Sequence, residues 1–379
     1  MKKIVWGCAY YFCLSSAWAE LPAQRVDESY VDGNSPFELT TALTLESIVN
    51  LQGGLDTGAR QLANVDLTLA LDTQAAGWWS GGEWFAYVLG DYGRNPSDLT
   101  GDLQGISNIA TDNNILLYEF WYRHSFANDA VQVLVGLHDY NSTFYSLESA
   151  GLFTHPSFGI GPDTAQVGPS IFSTTAVAVQ LSVHLDGQYL LAGVYDGVPG
   201  DPAHGRGTHI KFGRDDGTFS ALEWGVLKEQ NYKVALGFWQ HTALEENPVT
   251  GALTDNNSGA YVIAEKYVNE TLAVFLQLGQ ADEQRNQLEH YAGAGVVFNN
   301  IWHPDDSLGL GVAHARNGKA YLLENPGLLS AETSWELSYF TPIVDYLSWQ
   351  VSAYYIAQPA MVPTGEDALA IGTRAYIEF

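Results

Sequence analysis

The chain has very little cysteine, and none of it lies in the part predicted to be exported. Among 379 residues the only cysteines are Cys8 and Cys13. Both fall in an N-terminal segment that has a lysine pair, then an apolar run, then a small-residue site at residues 17–19. These three parts predict a secretory signal peptide over residues 1–19. The exported chain would therefore have no disulfide, no cysteine metal ligand and no cysteine nucleophile.

Basic residues are also scarce. The chain carries 16 Lys and Arg against 43 Asp and Glu, a formal net charge of −27. Removal of the signal peptide takes away two lysines and no acidic residue, which leaves −29. Such a chain repels phosphate backbones, so nucleic-acid binding is excluded. Hydrophobic residues make up 46%, which is enough for a folded protein rather than a disordered one.

Long hydrophobic runs are absent after the signal peptide. The longest stretch without a charged residue lies between Asp163 and Asp186. A Gly-Pro pair at residues 168–169 interrupts it, and from Thr175 onward its side chains alternate rather than stay apolar. We therefore expect no membrane-spanning helix in the mature chain.

Signatures of catalysis are missing as well. The sequence contains no His-Glu-x-x-His and no Gly-x-Ser-x-Gly motif, and its ten histidines are scattered. No pair of carboxylates stands out among the 43 acidic residues as a glycosidase pair would require. We expect neither a cofactor nor a metal, and a secreted all-β glycosidase is the less favoured, enzymatic alternative.

Glycine and aromatic residues are abundant, and alternation is the dominant pattern. The chain has 38 Gly, 11 Trp, 21 Tyr and 16 Phe. In residues 271–279 every second residue is aliphatic, which predicts a strand with one apolar face. Similar rhythm predicts 17 strands, at residues 37–49, 64–72, 83–90, 115–125, 131–138, 175–185, 189–196, 208–214, 219–227, 232–240, 259–268, 271–279, 290–298, 308–315, 334–339, 347–355 and 368–379.

So many strands without an internal repeat favour a closed barrel, since closure removes both sheet edges. Polar residues fill the second face of nearly every strand, and aromatic residues cluster near strand ends. In a membrane barrel the apolar face contacts lipid, the interior is polar, and aromatic girdles mark both interfaces. The fold class predicted is all-β, a transmembrane antiparallel up-and-down β-barrel.

The last predicted strand ends on Phe379, the final residue. A terminal Phe on an alternating strand resembles the C-terminal signature of bacterial outer-membrane proteins. The resemblance implies a location in the bacterial outer membrane, contact with outer-membrane lipid, and recognition of Phe379 by the assembly machinery there.

Several ordered segments resemble one known family. They are GDLQGISNI at 101–109, LYEFW at 117–121, VGLHDYNS at 135–142, GLF at 151–153, SFGIGP at 157–162, GPSIF at 168–172, VYDGVPGDP at 194–202 and GTHI at 207–210. These segments are similar to those of the carbohydrate-selective porins of the OprB family. The resemblance implies a barrel of about 16 strands, with inward-folded loops, through which sugars diffuse passively. Because 16 is one fewer than the 17 predicted strands, one prediction must be surplus. We expect the surplus to be residues 208–214, or one of two predicted strands that together form a single strand. The predicted organisation is a signal peptide (1–19), a short N-terminal segment (20–36) and the barrel (37–379).

Two predicted loops, 91–114 and 141–172, are too long for hairpin turns and are expected to narrow the channel. Arginine and carboxylate groups can bind sugar hydroxyls, and aromatic rings can cover the sugar ring. On this basis and on the family positions, the candidate constriction residues are Arg94, Glu119, Asp139, Asp196, His155 and Phe158. The alternative interpretation is that these charges brace the loops against the barrel wall.

Alternation places Glu119 and Arg123 on one face of their strand, opposite the outward-facing Phe120 and Tyr122. The acidic balance predicts repulsion of anions, whereas neutral sugars would be unaffected. Other functions left open are a general or cation-preferring porin and a barrel that serves as an anchor. A homotrimer is possible.

Overall fold

The computed structural model describes residues 35–379, so the predicted signal peptide lies outside the described residues. Strands dominate this part of the chain, and the helices are short. The strands are β1 (Phe37–Gly54), β2 (Gly58–Asp72), β3 (Gly82–Gly93), β4 (Asn114–Phe126), β5 (Val131–His138), β6 (Ala176–Leu185), β7 (Gln188–Asp196), β8 (Thr218–Lys228), β9 (Tyr232–His241), β10 (Glu245–Glu246), β11 (Leu253–Thr254), β12 (Asn257–Asn269), β13 (Leu272–Ala281), β14 (Leu288–Asn299), β15 (Ser307–Asn317), β16 (Ala331–Val344), β17 (Leu347–Ala357) and β18 (Glu366–Glu378). The α-helices are α1 (Ser97–Thr100), α2 (Pro162–Ala165) and α3 (Lys319–Glu324), and 3₁₀ turns lie at Tyr140–Ser142, Ser149–Leu152, Pro156–Phe158 and Pro359–Met361.

Sixteen strands form one closed antiparallel barrel, in which each strand pairs with its neighbours in sequence. The two-residue strands β10 and β11 form a separate hairpin between β9 and β12. The first and last strands close the barrel, with Ala42 opposite Glu378. The predicted fold class is therefore confirmed.

Sixteen of the seventeen predicted strands are present, and the surplus is residues 208–214, as expected. This segment lies against β4 without joining its ladder. The Thr208 hydroxyl accepts a hydrogen bond from the Leu117 N–H at 2.6 Å and donates one to the Leu117 carbonyl at 2.9 Å. A side chain thus makes the contact that a strand would make through its backbone.

The aliphatic stripes face outward. On β13, Val274, Leu276 and Leu278 are exposed, whereas Phe275 and Gln277 on the other face are buried. This is the orientation of a membrane barrel, since exposed aliphatic side chains need lipid as their surroundings.

No helix among residues 35–379 is long and apolar enough to cross a membrane.

The two ends of the barrel differ. At one end of the barrel, where β1 begins and β18 ends, the strands are joined by turns as short as residues 186–187 and 270–271. The other end carries long connections, two of which enter the barrel. We call residues 94–113 the short inner loop and residues 139–175 the long inner loop. Both match the two loops predicted to narrow the channel.

Candidate functional site

The long inner loop packs along the inside of the barrel wall. Aromatic contacts hold it there, with the Tyr145 and Tyr261 ring centroids 4.3 Å apart. Its buried aromatic residues are Tyr140, Phe144, Tyr145, Phe153 and Phe158, and their wall partners include Phe219, Tyr261 and Phe275. Burial of so many rings gives the loop a fixed position rather than a free path across the lumen.

Wall glycines allow the loop to approach closely. A Cβ atom on Gly311 would lie 2.6 Å from the Phe158 ring. A Cβ on Gly279 would lie 2.3 Å from the carboxylate oxygens of Asp163 in α2. Any larger residue at either position would displace the loop.

Buried glutamates on the wall bind the backbone of the long inner loop. Glu223 on β8 accepts a hydrogen bond from the Tyr145 N–H at 2.9 Å. Glu265 on β12 accepts from both the N–H and the hydroxyl of Ser149, each at 2.8 Å. These inward side chains supply the acceptors that loop backbone needs when it is removed from water.

Glu336 on β16 makes the largest set of such contacts. Its carboxylate accepts from the N–H groups of Thr154 and His155, both at 2.9 Å, and from the Thr154 hydroxyl at 2.9 Å. The Ser338 hydroxyl donates to it at 2.6 Å. Glu336 is fully buried, so these donors replace the hydrogen bonds that solvent would otherwise give its carboxyl group.

The short inner loop is held in the same way. Glu332 on β16 accepts from the Leu103 N–H at 2.8 Å and from the Gln104 N–H at 3.0 Å. Farther along the loop, the Ser107 hydroxyl donates to Glu46 on β1. Arg374 of β18 forms a buried ion pair with Glu46 at 2.9 Å. We call Glu46, Glu119, Glu223, Glu265, Glu332 and Glu336 the wall glutamates.

Two predicted constriction residues, Glu119 and Asp139, contact each other. A register shift in the pairing of β3 with β4 places both Tyr118 and Glu119 on the inner face. Glu119 accepts from the Asp139 N–H at 2.8 Å. Asp139 in turn accepts from the Asn141 N–H at 2.6 Å and from the Tyr118 hydroxyl. Both carboxylates are buried, and the bracing interpretation describes these contacts well.

His155 and Phe158 lie in the packed part of the long inner loop. His155 begins the 3₁₀ turn at Pro156–Phe158, and its ring nitrogen accepts from the Ser157 N–H at 3.3 Å. Burial lowers the pKa of His155 to about 3, so the ring is neutral. The Phe158 ring packs on Phe153 and on Phe275, with centroids 4.7 Å and 5.8 Å away.

Arg94 and Asp196 lie apart from this packed region. Arg94 starts the short inner loop, is exposed, and has no hydrogen bond or ion pair within the described residues. Asp196 is half-buried at the loop end of β7. Arg94 is therefore the predicted residue whose charged group is free to meet a solute.

Sequence reasoning placed Arg123 on the inner face of β4 but did not identify the two polar pairs on the inner face of β2 to β4. Asn64 donates to Asp91 at 2.9 Å near the loop end, and Arg123 donates to Glu83 at 2.9 Å near the short-turn end. All lie at alternate strand positions, which is the only signal that could have found them. A buried apolar cluster that includes Phe85, Tyr87 and Leu89 lies between the two pairs. Among residues 35–379 no group of three His, Asp or Glu side chains is arranged to bind a metal ion.

Solved structures show the same fold. The high-pH structure of Pseudomonas putida OprB matches with a TM-score of 0.79 at 19% identity, covering 91% of this chain and 94% of that chain. The low-pH structure of that protein matches with a TM-score of 0.60 at 16% identity, covering 91% and 93%. A mutant of the Rh. blastica porin matches with a TM-score of 0.56 at 11% identity, covering 90% and 100%. A search of curated proteins finds no match.

The structural matches show the fold, whereas the match to a family model shows the family. The model described as carbohydrate-selective porin, OprB family, matches residues 56–379, which is most of the chain. That range includes every wall glutamate except Glu46, as well as both inner loops. The chain belongs to the OprB family of carbohydrate-selective porins.

Proposed function

We propose that this chain is a porin of the bacterial outer membrane through which sugars diffuse passively. The observation that carries the proposal is a closed barrel with outward aliphatic stripes and two inward-folded loops, in a chain of the OprB family. The barrel provides the span across lipid, and the loops narrow its interior enough for a solute to be selected.

We place the passage between the inner loops and the inner face of β2 to β4. The hydrogen bonds of the wall glutamates draw the long inner loop toward β8, β12 and β16, on the other side of the barrel. The inner face of β2 to β4 carries Glu83 and Arg123 near the short-turn end and Asp91 near the loop end, with the apolar cluster of Phe85, Tyr87 and Leu89 between them. The polar groups can exchange hydrogen bonds with sugar hydroxyls. Such contacts are weak and numerous, so a sugar can enter and leave.

Arg94 is the residue that we assign to the first contact with sugar. Its guanidinium is exposed at the loop end and offers several donors in a fixed geometry. Glu119, Asp139, His155 and Phe158 act on the sugar indirectly, by fixing the shape of the long inner loop. Asp196 adds negative charge at the loop end.

A general or cation-preferring porin is the second candidate, and the excess of 43 acidic over 16 basic residues favours it. Negative charge at the mouths raises the local concentration of cations and has no effect on neutral sugars. Both candidates conduct ions. Only the first predicts that sugar interrupts the ion current.

The remaining parts of the proposal concern export and assembly. Residues 1–19 are removed as a signal peptide, and the assembly machinery recognises Phe379. Three copies associate as a homotrimer. Cross-linking of the purified protein in detergent tests the last point directly.

The experiment is single-channel recording in a planar bilayer with glucose and maltose on the loop side. Wild type should show sugar-dependent interruptions of the current, and Arg94→Ala should show them at a several-fold higher sugar concentration. Arg214→Ala is the matched control, since Arg214 is exposed on the connection that lies against β4 rather than on an inner loop. Open channels that no sugar blocks would support the second candidate and contradict the first.

A further inference from the structure

A groove of about 520 Å³ opens on the outer face of the barrel, across β9 and β12 to β15 toward the loop end. Its size falls in the range of sites that hold one small ligand. The residues that line it include Leu236, Val262, Leu278, Ala292, His290 and Arg316.

The groove forms because a small side chain, that of Ala292, lies between larger side chains on the neighbouring strands. In the sheet register Ala292 on β14 lies between Leu278 on β13 and His314 on β15. All three point outward, and the methyl group of the alanine leaves a depression between its neighbours. The lower part of the groove is lined mainly by the aliphatic side chains of Leu236, Val262 and Leu278 and lies on the lipid-facing side of the barrel. His314 is its polar member, and its ring is hydrogen-bonded to the Thr333 hydroxyl at 2.8 Å.

The upper end of the groove is polar and carries a free cation. One row nearer the loops, Gln280, His290 and Arg316 face outward on adjacent strands. The His290 ring nitrogen lies 3.0 Å from the Glu289 carboxylate, so this side chain already has a partner. Arg316 is exposed and has neither a hydrogen bond nor an ion pair in the described part of the chain.

We propose that this groove binds a phosphate-bearing lipid of the outer leaflet. An acyl chain would lie over Ala292 and Leu278, and the phosphate would meet Arg316, with Gln280 as a second donor. The apolar part of the groove lies toward the middle of the membrane, where the lipid tail would be. The cationic part lies nearer the loops, where the lipid headgroup would be. A free arginine on the membrane face of a strongly acidic chain is explained by an anionic headgroup.

A lipid fits this groove better than a second copy of the chain does. A stable protein interface buries about 800 Å² on each partner in a broad complementary face, whereas the recess here is the one that Ala292 leaves between Leu278 and His314. The proposal depends on the barrel lying in a membrane and is independent of which solute crosses it.

Lipid retention tests the proposal. The protein is reconstituted in nanodiscs of phosphatidylcholine with a minor fraction of phosphatidylglycerol of the same acyl chains, then transferred to detergent, and the retained lipid is measured by native mass spectrometry. Wild type should retain phosphatidylglycerol preferentially. Arg316→Gln should lower the retained ratio about tenfold, the effect of removing one charge-assisted hydrogen bond. Lys266→Gln is the matched control, because Lys266 lies outward near the opposite end of β12 and should retain the wild-type ratio.

A second variant tests the apolar part of the groove. Ala292→Leu keeps Arg316 but fills the depression, and it should also reduce retention of phosphatidylglycerol. Equal retention of both lipids by wild type, or displacement of the lipid by soluble glycerol phosphate, overturns the proposal. Disulfide cross-linking of two chains through Ala292→Cys would identify the groove as a protein interface and would overturn it as well.

Discussion

Replacement of Glu336 by alanine should loosen the long inner loop. Glu336 accepts hydrogen bonds from two backbone N–H groups, those of Thr154 and His155, and from the hydroxyls of Thr154 and Ser338. When the carboxylate is removed, the buried N–H groups of Thr154 and His155 lose this acceptor. Each unsatisfied group costs about 1–3 kcal/mol, so the docked position of the loop should lose roughly 2–6 kcal/mol. We expect a larger and noisier single-channel conductance and weaker block by sugar.

Planar-bilayer recording measures both quantities, and the gel mobility of unheated protein shows whether the barrel is still folded. Glu336→Gln, which keeps the length but replaces one acceptor oxygen by a donor, should have a smaller effect of the same sign. Glu270→Ala removes an exposed carboxylate on a short turn and should behave as wild type. Wild-type conductance and sugar block in folded Glu336→Ala would refute the docking role of the wall glutamates.

Three further predictions concern other parts of the chain. Gly279→Ala should destabilise the protein by about 1–3 kcal/mol through overpacking against Asp163, measured by thermal unfolding, while Gly327→Ala, which meets no atom within 4 Å, should have little effect. Burial raises the pKa of Asp163 from the ordinary 3.8 to about 7. The folded chain therefore holds this proton more tightly than the unfolded chain, so stability should fall as pH rises from 4 through about 7. Asp163→Asn should reduce that pH dependence, and an unchanged melting profile would contradict it. Phe379→Ser should lower the amount of heat-modifiable protein in the outer membrane, whereas Phe212→Ser, at another exposed Phe, should not.

The barrel could be predicted from the sequence because its dominant signal is local. Each strand of a lipid-facing barrel alternates independently of its neighbours, as β13 does with Val274, Leu276 and Leu278. Residues 208–214, the expected surplus strand, were included among the 17 for the same reason. Alternation shows that a segment can form a strand, but whether it does depends on the backbone hydrogen bonds it makes. Thr208 contacts β4 through its side-chain hydroxyl instead of its backbone.

The docking of the inner loops could not be predicted in this way. The contacts of Glu223, Glu265 and Glu336 join residues 78, 116 and 182 positions apart. In the sequence each of these glutamates is one more polar residue on the inner face of a strand. Glu119 was found only because it lies in a family motif, and its partner, the backbone N–H of Asp139, has no sequence signal of its own.

The need for acceptors explains why the inner wall is rich in glutamate. A loop packed inside the barrel has backbone N–H groups that neither water nor a strand ladder satisfies, and the carbonyls of the wall strands are already used in the ladder. Side chains must therefore accept, and a carboxylate offers two oxygens and no competing donor. Glu336 and Glu332 each bind two loop N–H groups in this manner. These carboxyl groups are thus positioned to hold the loops rather than to contact a permeating ion.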